Sequence, residues 1–215
     1  MKPVVVINFK LYPQSSGKNA LILAHKIAST RTPKHTIILV PSLLTCKEIA
    51  SITKLPIFAQ HADPITFGPH TGHIGMNELK ESKIAGVLLN HSEHKVALPT
   101  LQKTILLCKK NKLQTIVCAS SIAEIKLIAT LKPTFIAYEP AELIGKNISV
   151  TQAKPQIITK AQSLLRQPTL LLVGAGIHTS DDIRHALSLG AQGVLLSHAI
   201  CTAKNPQQAL QSLLR

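Results

Sequence analysis

The chain has 215 residues, which is enough for one domain with a substantial buried core and too few for two of ordinary size. Hydrophobic residues make up 45% of the sequence, which excludes a disordered chain, and no apolar run reaches the roughly 18 residues that a membrane-spanning helix needs. The 24 Lys and Arg residues outnumber the 10 Asp and Glu residues, giving a net charge of +14 that attracts anions.

Short β-type segments alternate along the chain with longer segments of helical periodicity. Eight strands are predicted, at 4–9, 36–40, 57–60, 86–90, 114–118, 134–138, 169–173 and 193–196. The clearest helices between them are predicted at 19–28, 97–111, 151–166 and 181–189. This alternation predicts an α/β protein, a closed (β/α)8 barrel with residues 1–215 as a single domain. A doubly wound sheet is the alternative, but it rarely repeats eight times without a change of rhythm.

Two polar residues lie where the first predicted strand ends. Asn8 and Lys10 share one parity of the strand, so both point to the barrel centre if Phe9 faces the helices. An inward-facing lysine is costly as mere packing, which favours a functional role for Lys10. The alternative is that Lys10 has left the strand and is solvated.

The fourth and sixth strands deliver a histidine and a glutamate. His91 follows the fourth strand just ahead of a helical segment, and a helix N-terminus would favour its neutral imidazole; a capping or buried histidine is the alternative. Glu139 follows the sixth strand and is a candidate base in a chain with few acidic residues; an ordinary turn residue is the alternative. The segment after Pro140 contains a glycine and is expected to close over a ligand.

The last two strands end in segments suited to binding a phosphate. Gly174-Ala175-Gly176 follows the seventh strand, and Ser197-His198 follows the eighth. In barrels these two loops often hold phosphate, because glycines let backbone N–H groups approach the oxygens. The other histidines lack metal-ligand spacing, so no metal is expected. The four widely spaced cysteines indicate reduced thiols, and with no signal-peptide cleavage site they predict a cytoplasmic protein.

Four motifs occur in the order that one enzyme family has them. They are Asn8-Phe9-Lys10, the segment 60–76, Asn90-His91-Ser92-Glu93 and Ala137-Tyr138-Glu139-Pro140. By these motifs the sequence resembles triosephosphate isomerases from the first strand to the last helix. Its short length and the Gly-Ala-Gly-Ile sequence after strand seven resemble the compact archaeal branch of that family, which is commonly tetrameric.

The resemblance implies an isomerase that interconverts dihydroxyacetone phosphate and D-glyceraldehyde 3-phosphate by proton transfer through an enediolate, in glycolysis and gluconeogenesis. Glu139 would be the base, His91 the neutral electrophile and Lys10 the positive charge near the developing oxyanion. No cofactor is required. The residues expected to support or bind substrate around these three are Asn8, Ser92, Glu93, Ile144, Gly145, Gly174, Gly176, Ser197 and His198.

The resemblance also implies self-association, as a homotetramer or homodimer, through the loop 61–76. Two departures from the family pattern occur in this chain: His94-Lys95 stands where arginine usually follows the Ser-Glu pair, and His198 stands where a small residue is usual. The first puts a supporting salt bridge in question. The second means that the imidazole either turns aside or touches the phosphate.

Two other functions are compatible with a basic barrel. One is an enzyme for another phosphorylated metabolite, such as a sugar-phosphate epimerase or an indole-pathway synthase, which would need metal ligands or a larger pocket. The other is a barrel that binds nucleic acid or a partner protein without catalysis. The basic residues are scattered along the sequence and only 3% of residues are aromatic, so we expect no nucleic-acid partner and no membrane partner.

Overall fold

The structure is a computed structural model that describes residues 1–140 and 155–215. Eight parallel strands lie side by side, with the second and third strands along the chain at the two edges of the sheet. A parallel bridge between Leu39 and Ile57 joins these two edges, so the sheet closes as a barrel. The predicted (β/α)8 barrel is therefore confirmed. The strands are β1 (Val4–Asn8), β2 (Thr36–Val40), β3 (Phe58–Ala59), β4 (Gly86–Leu89), β5 (Gln114–Ala119), β6 (Phe135–Tyr138), β7 (Leu170–Val173) and β8 (Gly193–Leu196).

Helices follow the strands on the outside of the barrel. Within the described ranges they are α1 (Lys18–Ala28), α2 (Leu43–Ile52), α3 (Met76–Glu81), α4 (Leu98–Lys110), α5 (Ile122–Ala129), α6 (Pro155–Leu164), α7 (Ser180–Ser188), α8 (His198–Cys201) and α9 (Pro206–Leu213), with a 3-10 turn at Pro13–Ser15. The predicted helix at 19–28 differs from α1 by one residue at its start, and those at 97–111 and 181–189 differ from α4 and α7 by one residue at each end. The helix predicted at 151–166 ends at Leu164, and its first four residues lie outside the described ranges. None of the described helices has the length and apolarity to cross a bilayer.

Five predicted strands are shorter than expected, those at 4–9, 57–60, 86–90, 134–138 and 169–173. The strand expected at 57–60 is reduced to Phe58–Ala59, and beyond it the Gln60 side chain donates to the carbonyls of Lys10 and Val40, each at 3.3 Å. The strand expected at 86–90 ends at Leu89, because Asn90 has a φ of 58°, outside the extended region.

Alternate residues of the strands pack on opposite sides of the barrel wall. One buried cluster fills the interior and includes Val4, Val6, Leu88, Ala137 and Leu172, while the residues between them pack against the helices. Parallel strands buried on both faces must be apolar at every position, which explains the continuous apolar runs in the sequence. Beyond the last residue of each strand, the positions that continue this alternation on the inward side lie at one end of the barrel.

Side chains cap the starts of two helices. At α7, the Thr179 hydroxyl accepts from the Asp182 amide while the Asp182 carboxylate accepts from the Thr179 amide, which is a complete capping box. At α9, the Asn205 side chain accepts from the Gln208 amide ahead of Pro206. These bonds fix where two βα connections end.

The first residue of β8 has no room for a side chain. A Cβ at Gly193 would lie 2.0 Å from the carbonyl oxygen of Val4 and 2.9 Å from its amide nitrogen, which are backbone atoms of the neighbouring strand. We expect Gly193→Ala to lower the free energy of unfolding by at least about 3 kcal/mol, measured by urea denaturation. Gly75→Ala is the matched control, because its Cβ would meet nothing closer than 3.8 Å. Equal effects of the two substitutions would contradict the steric argument.

Candidate active site

Polar residues occupy the inward positions just beyond the carboxyl ends of the strands. In six strands the inward positions are apolar up to the end of the strand, and the next even-spaced positions hold residues that are polar or lack a side chain. These strands are β1, β3, β4, β6, β7 and β8. In chain order the residues are Asn8, Lys10, Gln60, Asn90, Glu139, Gly174 and Ser197. All lie at one end of the barrel, the end where barrel enzymes place their chemistry.

Lys10 is held inward by its neighbours. Its amide donates to the Asn8 side-chain oxygen at 3.0 Å, and its ammonium donates to Glu93 Oε1 at 2.5 Å. Burial lowers the pKa of Lys10, but the hydrogen bond and charge of Glu93 outweigh it and raise the pKa above its ordinary value. Lys10 therefore presents a fixed positive charge to the cavity. It has left the strand, since β1 ends at Asn8 and Lys10 has a φ of 48°, so these contacts rather than strand alternation direct its side chain.

His91 reaches the site through a change of backbone direction at Asn90. Asn90 adopts the left-handed conformation, and its side chain donates to the Cys118 carbonyl at 2.9 Å and accepts from the Val96 amide at 3.1 Å. After this turn His91 is buried, although its strand parity alone would direct it outward. The next helix begins only at Leu98, so the expected effect of a helix N-terminus on His91 is wrong.

A backbone hydrogen bond selects the proton position on His91 instead. The Glu93 amide donates to His91 Nδ1 at 3.2 Å, so Nδ1 is an acceptor and a neutral ring carries its proton on Nε2. That Nε2 lies 3.7 Å from Glu139 Oε2. The imidazole thus points an N–H donor into the space beside the carboxyl. Ser92 is exposed in the same turn.

Glu139 is the buried acid of the site. Glu139 is 4% exposed, and its Oε2 has no hydrogen-bond partner among the described residues. Burial raises the pKa of Glu139 above its ordinary value, and the contacts with His91, Cys118 and Lys10 offset only part of that effect. A carboxylate that is poorly solvated and unpaired is a stronger base than one in water.

A cavity of about 250 Å³ opens beside Glu139. Lys10 lies on one side of it, and the segments after β7 and β8 line the other, including Gly174, Gly176 and Ser197. A Cβ at Gly174 would lie 2.6 Å from Glu139 Cγ, so the glycine leaves room for the carboxyl. Gly176 has a φ of 65°, which favours glycine at this turn. The structure thus brings the predicted glycines to the predicted base.

His198 lies at the rim of this cavity. Its ring packs edge-on against Tyr12, with ring centroids 6.1 Å apart, and Thr202 Oγ1 lies within 3.4 Å of both of its ring nitrogens. His198 is exposed and also borders the cavity. The imidazole therefore contacts Tyr12 and Thr202 and at the same time lines the cavity.

The replacement of the usual arginine does not remove a salt bridge here. Lys95 Nζ lies 2.8 Å from Glu124 Oε1, and Glu124 also accepts from the Asn90 side chain at 2.7 Å. Burial raises the pKa of Glu124, but these bonds outweigh it and hold the pKa below its ordinary value. The ion pair therefore braces the turn that carries His91. His94 stacks on His61, with ring centroids 4.4 Å apart.

Other expected site residues fall elsewhere. Ile144 and Gly145, expected in a phosphate-gripping lid, lie outside the described residues. The loop 61–76 is described: Asp63 ties its two ends together by accepting from the Ile74 amide at 2.8 Å. Within the described part of the chain, no group of three or more His, Cys, Asp or Glu residues could hold a metal ion.

Sequence reasoning missed three residues that shape the site. Gln60 Nε2 contacts Asn8 Oδ1 at 3.4 Å, Cys118 contacts the Glu139 carboxyl, and Glu124 supports Asn90. Gln60 and Cys118 share the inward parity of their strands, which was a usable signal. Glu124 lies on α5 and gave no signal, because its contact with Asn90 depends on the packing of α5 beside β4.

The assembled groups suit proton abstraction next to a carbonyl. Glu139 supplies an unpaired base, while His91 Nε2–H and the Lys10 ammonium supply donors for a developing oxyanion. Gly176, which also lines the cavity, suits the close approach of an anion to the backbone, whereas the Gly174 N–H already donates to the Tyr138 carbonyl at 3.0 Å.

Comparison with known proteins supports this chemistry. A family model described as triosephosphate isomerase matches residues 3–213. The chain is 43% identical to the triosephosphate isomerase of Methanobrevibacter smithii over 215 residues, which is 98% of this chain and 97% of that protein. It is 38% identical to that of Methanocaldococcus jannaschii over 217 residues, 99% of each chain. It is 36% identical to that of Methanothermus fervidus over 217 residues, 99% of this chain and 98% of the other.

The burial of Glu139 predicts a stability cost that depends on pH. Because the folded-state pKa is raised, ionising this carboxyl costs free energy of folding as pH rises above its ordinary value of 4.5. We expect Glu139→Gln to unfold at a higher temperature than the wild type at pH 7, by about 2–4 °C for each kcal/mol of that cost. The difference should vanish below pH 4.5, where the wild-type carboxyl is protonated in both states.

The matched control is Glu78→Gln, which neutralises an exposed carboxylate on α3 and is expected to change little. Thermal unfolding of the three proteins at both pH values provides the measurement. A Glu139→Gln protein no more stable than the wild type at pH 7 would contradict the interpretation that burial makes this carboxylate unfavourable.

Proposed function

The chain belongs to the triosephosphate isomerase family, and we propose that Glu139, His91 and Lys10 carry out its reaction. The reaction interconverts dihydroxyacetone phosphate and D-glyceraldehyde 3-phosphate and serves glycolysis and gluconeogenesis. The observation that carries the assignment is the buried, unpaired Glu139 Oε2, which lies 3.7 Å from His91 Nε2 and shares its cavity with Lys10.

Each of the three residues has one role. Glu139 removes a proton from the hydroxyl-bearing carbon next to the carbonyl and returns it to the former carbonyl carbon, while the hydroxyl proton moves from the oxygen of the first carbon to that of the second. His91 donates its Nε2 proton as a hydrogen bond to the enediolate oxygen, and Lys10 stabilises the same negative charge. Asn8 and Glu93 position Lys10, since both hydrogen-bond to it, and Ser92 forms part of the turn that places Glu93.

The substrate phosphate binds between the segments that follow β7 and β8. Gly174 and Gly176 line the cavity there, and Ser197 and His198 follow β8 at the same edge. His198 contacts the phosphate in this proposal, because it borders the cavity from the rim. Ile144 and Gly145 complete the phosphate contacts, an assignment that rests on the sequence motif.

Self-association through the loop 61–76 is also part of the proposal, as a homodimer or homotetramer. Phe67 in this loop is 71% exposed, and Leu11 and Leu44, on the rim beside the site, are 74% and 96% exposed. Large apolar side chains this exposed are typical of surfaces that a second subunit covers.

Residues 1–215 act as one catalytic domain, and the protein works in the cytoplasm. The cytoplasmic assignment is supported by four cysteines that are all buried free thiols and by the place of the reaction in glycolysis.

Glu139→Asp tests the base. The shorter side chain withdraws the carboxyl by about 1 Å, so we expect kcat to fall about 100-fold while the fold is retained. The measurement is a coupled assay of glyceraldehyde 3-phosphate isomerisation, with Glu78→Asp as a control at an exposed glutamate. An active wild type whose Glu139→Asp variant keeps full activity would show that another residue is the base.

Phe67→Ser tests the interface. Removing this exposed ring deletes an apolar contact between subunits, so we expect the mass measured by light scattering to shift towards the monomer at low protein concentration. Ile22→Ser on α1, whose side chain is 54% exposed, is the control for loss of an apolar surface residue elsewhere. An unchanged mass for the Phe67 variant would place the interface outside this loop.

A further inference from the structure

The positive charge is concentrated at the end of the barrel opposite the active site. There the N-terminal segment and the connections from each helix to the next strand lie side by side, because the parallel strands all begin at this end. These segments are residues 1–3, 29–35, 53–56, 82–85, 111–113, 130–134, 165–169 and 189–192. They contain no Asp or Glu at all and eight cations: Lys2, Arg31, Lys34, Lys54, Lys83, Lys112, Lys132 and Arg166.

We call these eight residues the basic face. All eight side chains belong to exposed residues, and none lies within salt-bridge distance of a carboxylate in the parts of the chain that the structure describes. The face is continuous, since every connection except 189–192 contributes at least one cation around the ring. Basic residues that are scattered along the sequence are thus brought together by the fold on one surface.

Like charges crowd each other on this face. Lys109, in the last turn of α4, donates to the Leu131 carbonyl at 2.8 Å; burial and then the charge of Lys132 lower its pKa. Burial and then the charge of Lys34 lower the pKa of His35. Unrelieved repulsion of this kind destabilises the free protein and is relieved when an anionic partner binds.

The dipoles of the helices do not account for all of this charge. Cations in the last turn of a helix are stabilised by the helix C-terminus, and Lys109 and Lys110 are of this kind. Lys83, Lys112 and Lys132 differ, because they lie beyond their helices with φ of 60°, 59° and 50°. Glycine or asparagine is usual in that conformation, which is unfavourable for other residues. Lysine therefore occurs three times where the backbone disfavours it.

We propose that the basic face binds the phosphate backbone of double-stranded nucleic acid without reading its sequence. Lysine and arginine side chains neutralise phosphates, and non-specific binding needs no other group. The connecting segments contain no Phe, Tyr or Trp on which the bases of a single strand would stack. Met1 is their one exposed large apolar residue, whereas stable membrane anchoring needs apolar insertion as well as charge.

The triple variant Lys83→Asn, Lys112→Asn, Lys132→Asn tests the proposal. Asparagine tolerates the left-handed conformation, so the substitution removes charge without straining the three turns. The matched control is Lys47→Gln, Lys103→Gln, Lys160→Gln, which removes three exposed lysines from the outer faces of α2, α4 and α6. Each variant lowers the net charge from +14 to +11, because three of the 24 basic residues are replaced by neutral ones.

The measurement is fluorescence anisotropy of a labelled DNA duplex of random sequence, titrated with the full-length protein between about 50 and 200 mM salt. We expect the asparagine variant to bind at least about tenfold more weakly, with a salt dependence shallower by about 0.9 for each phosphate that it no longer neutralises. The glutamine control should bind nearly as the wild type does. Isomerase activity of all three proteins, measured in parallel, shows that the active site at the other end is intact.

Three results would overturn the proposal. They are a wild type that does not bind the duplex at low salt, an equal loss of affinity in both variants, and tighter binding to phosphatidylserine-containing vesicles than to DNA. The second would mean that overall charge rather than this surface governs binding. The third would assign the basic face to an anionic membrane.

Discussion

The interior of the barrel is filled by side chains, and this constraint governs where chemistry can occur. Along each strand the inward positions must be apolar, because a polar group buried there without a partner is costly. Polar inward residues are therefore tolerated only where the strands end. Asn8, Asn90 and Glu139 all stand at such ends, and each is buried. The catalytic groups converge because the same packing rule excludes them from everywhere else along the strands.

The site combines well-satisfied polar groups with two buried oxygens that are not satisfied. Lys10 is fixed by Asn8 and Glu93, and the turn at Asn90 is fixed by three hydrogen bonds to its side chain. Glu139 Oε2 and Ser197 Oγ have no hydrogen-bond partner among the described residues. Rigid donors around a destabilised carboxylate are the arrangement expected when stability at one residue is exchanged for reactivity.

The two ends of the barrel differ in how they use charge. At the carboxyl end of the strands, the cations Lys10 and Lys95 each lie against a carboxylate, at 2.5 Å and 2.8 Å. At the amino end, the basic face has no carboxylate in its segments. The first arrangement orients individual groups for a small substrate, whereas the second creates an extended field suited to a large anion. A net charge that exceeds the needs of one phosphate ester is explained by this second surface.

Period and composition in the sequence determined the strands, the barrel and the inward direction of Asn8 and Glu139, because a strand alternates its side chains whatever surrounds it. Tertiary structure alone decided the position of His91, since the left-handed Asn90 reverses the parity on which sequence reasoning depends. It also decided the role of Lys95, through an ion pair with a residue 29 positions away. The gathering of the lysines likewise depends on the fold, because residues far apart along the chain become neighbours only when parallel strands begin at one end of a closed barrel.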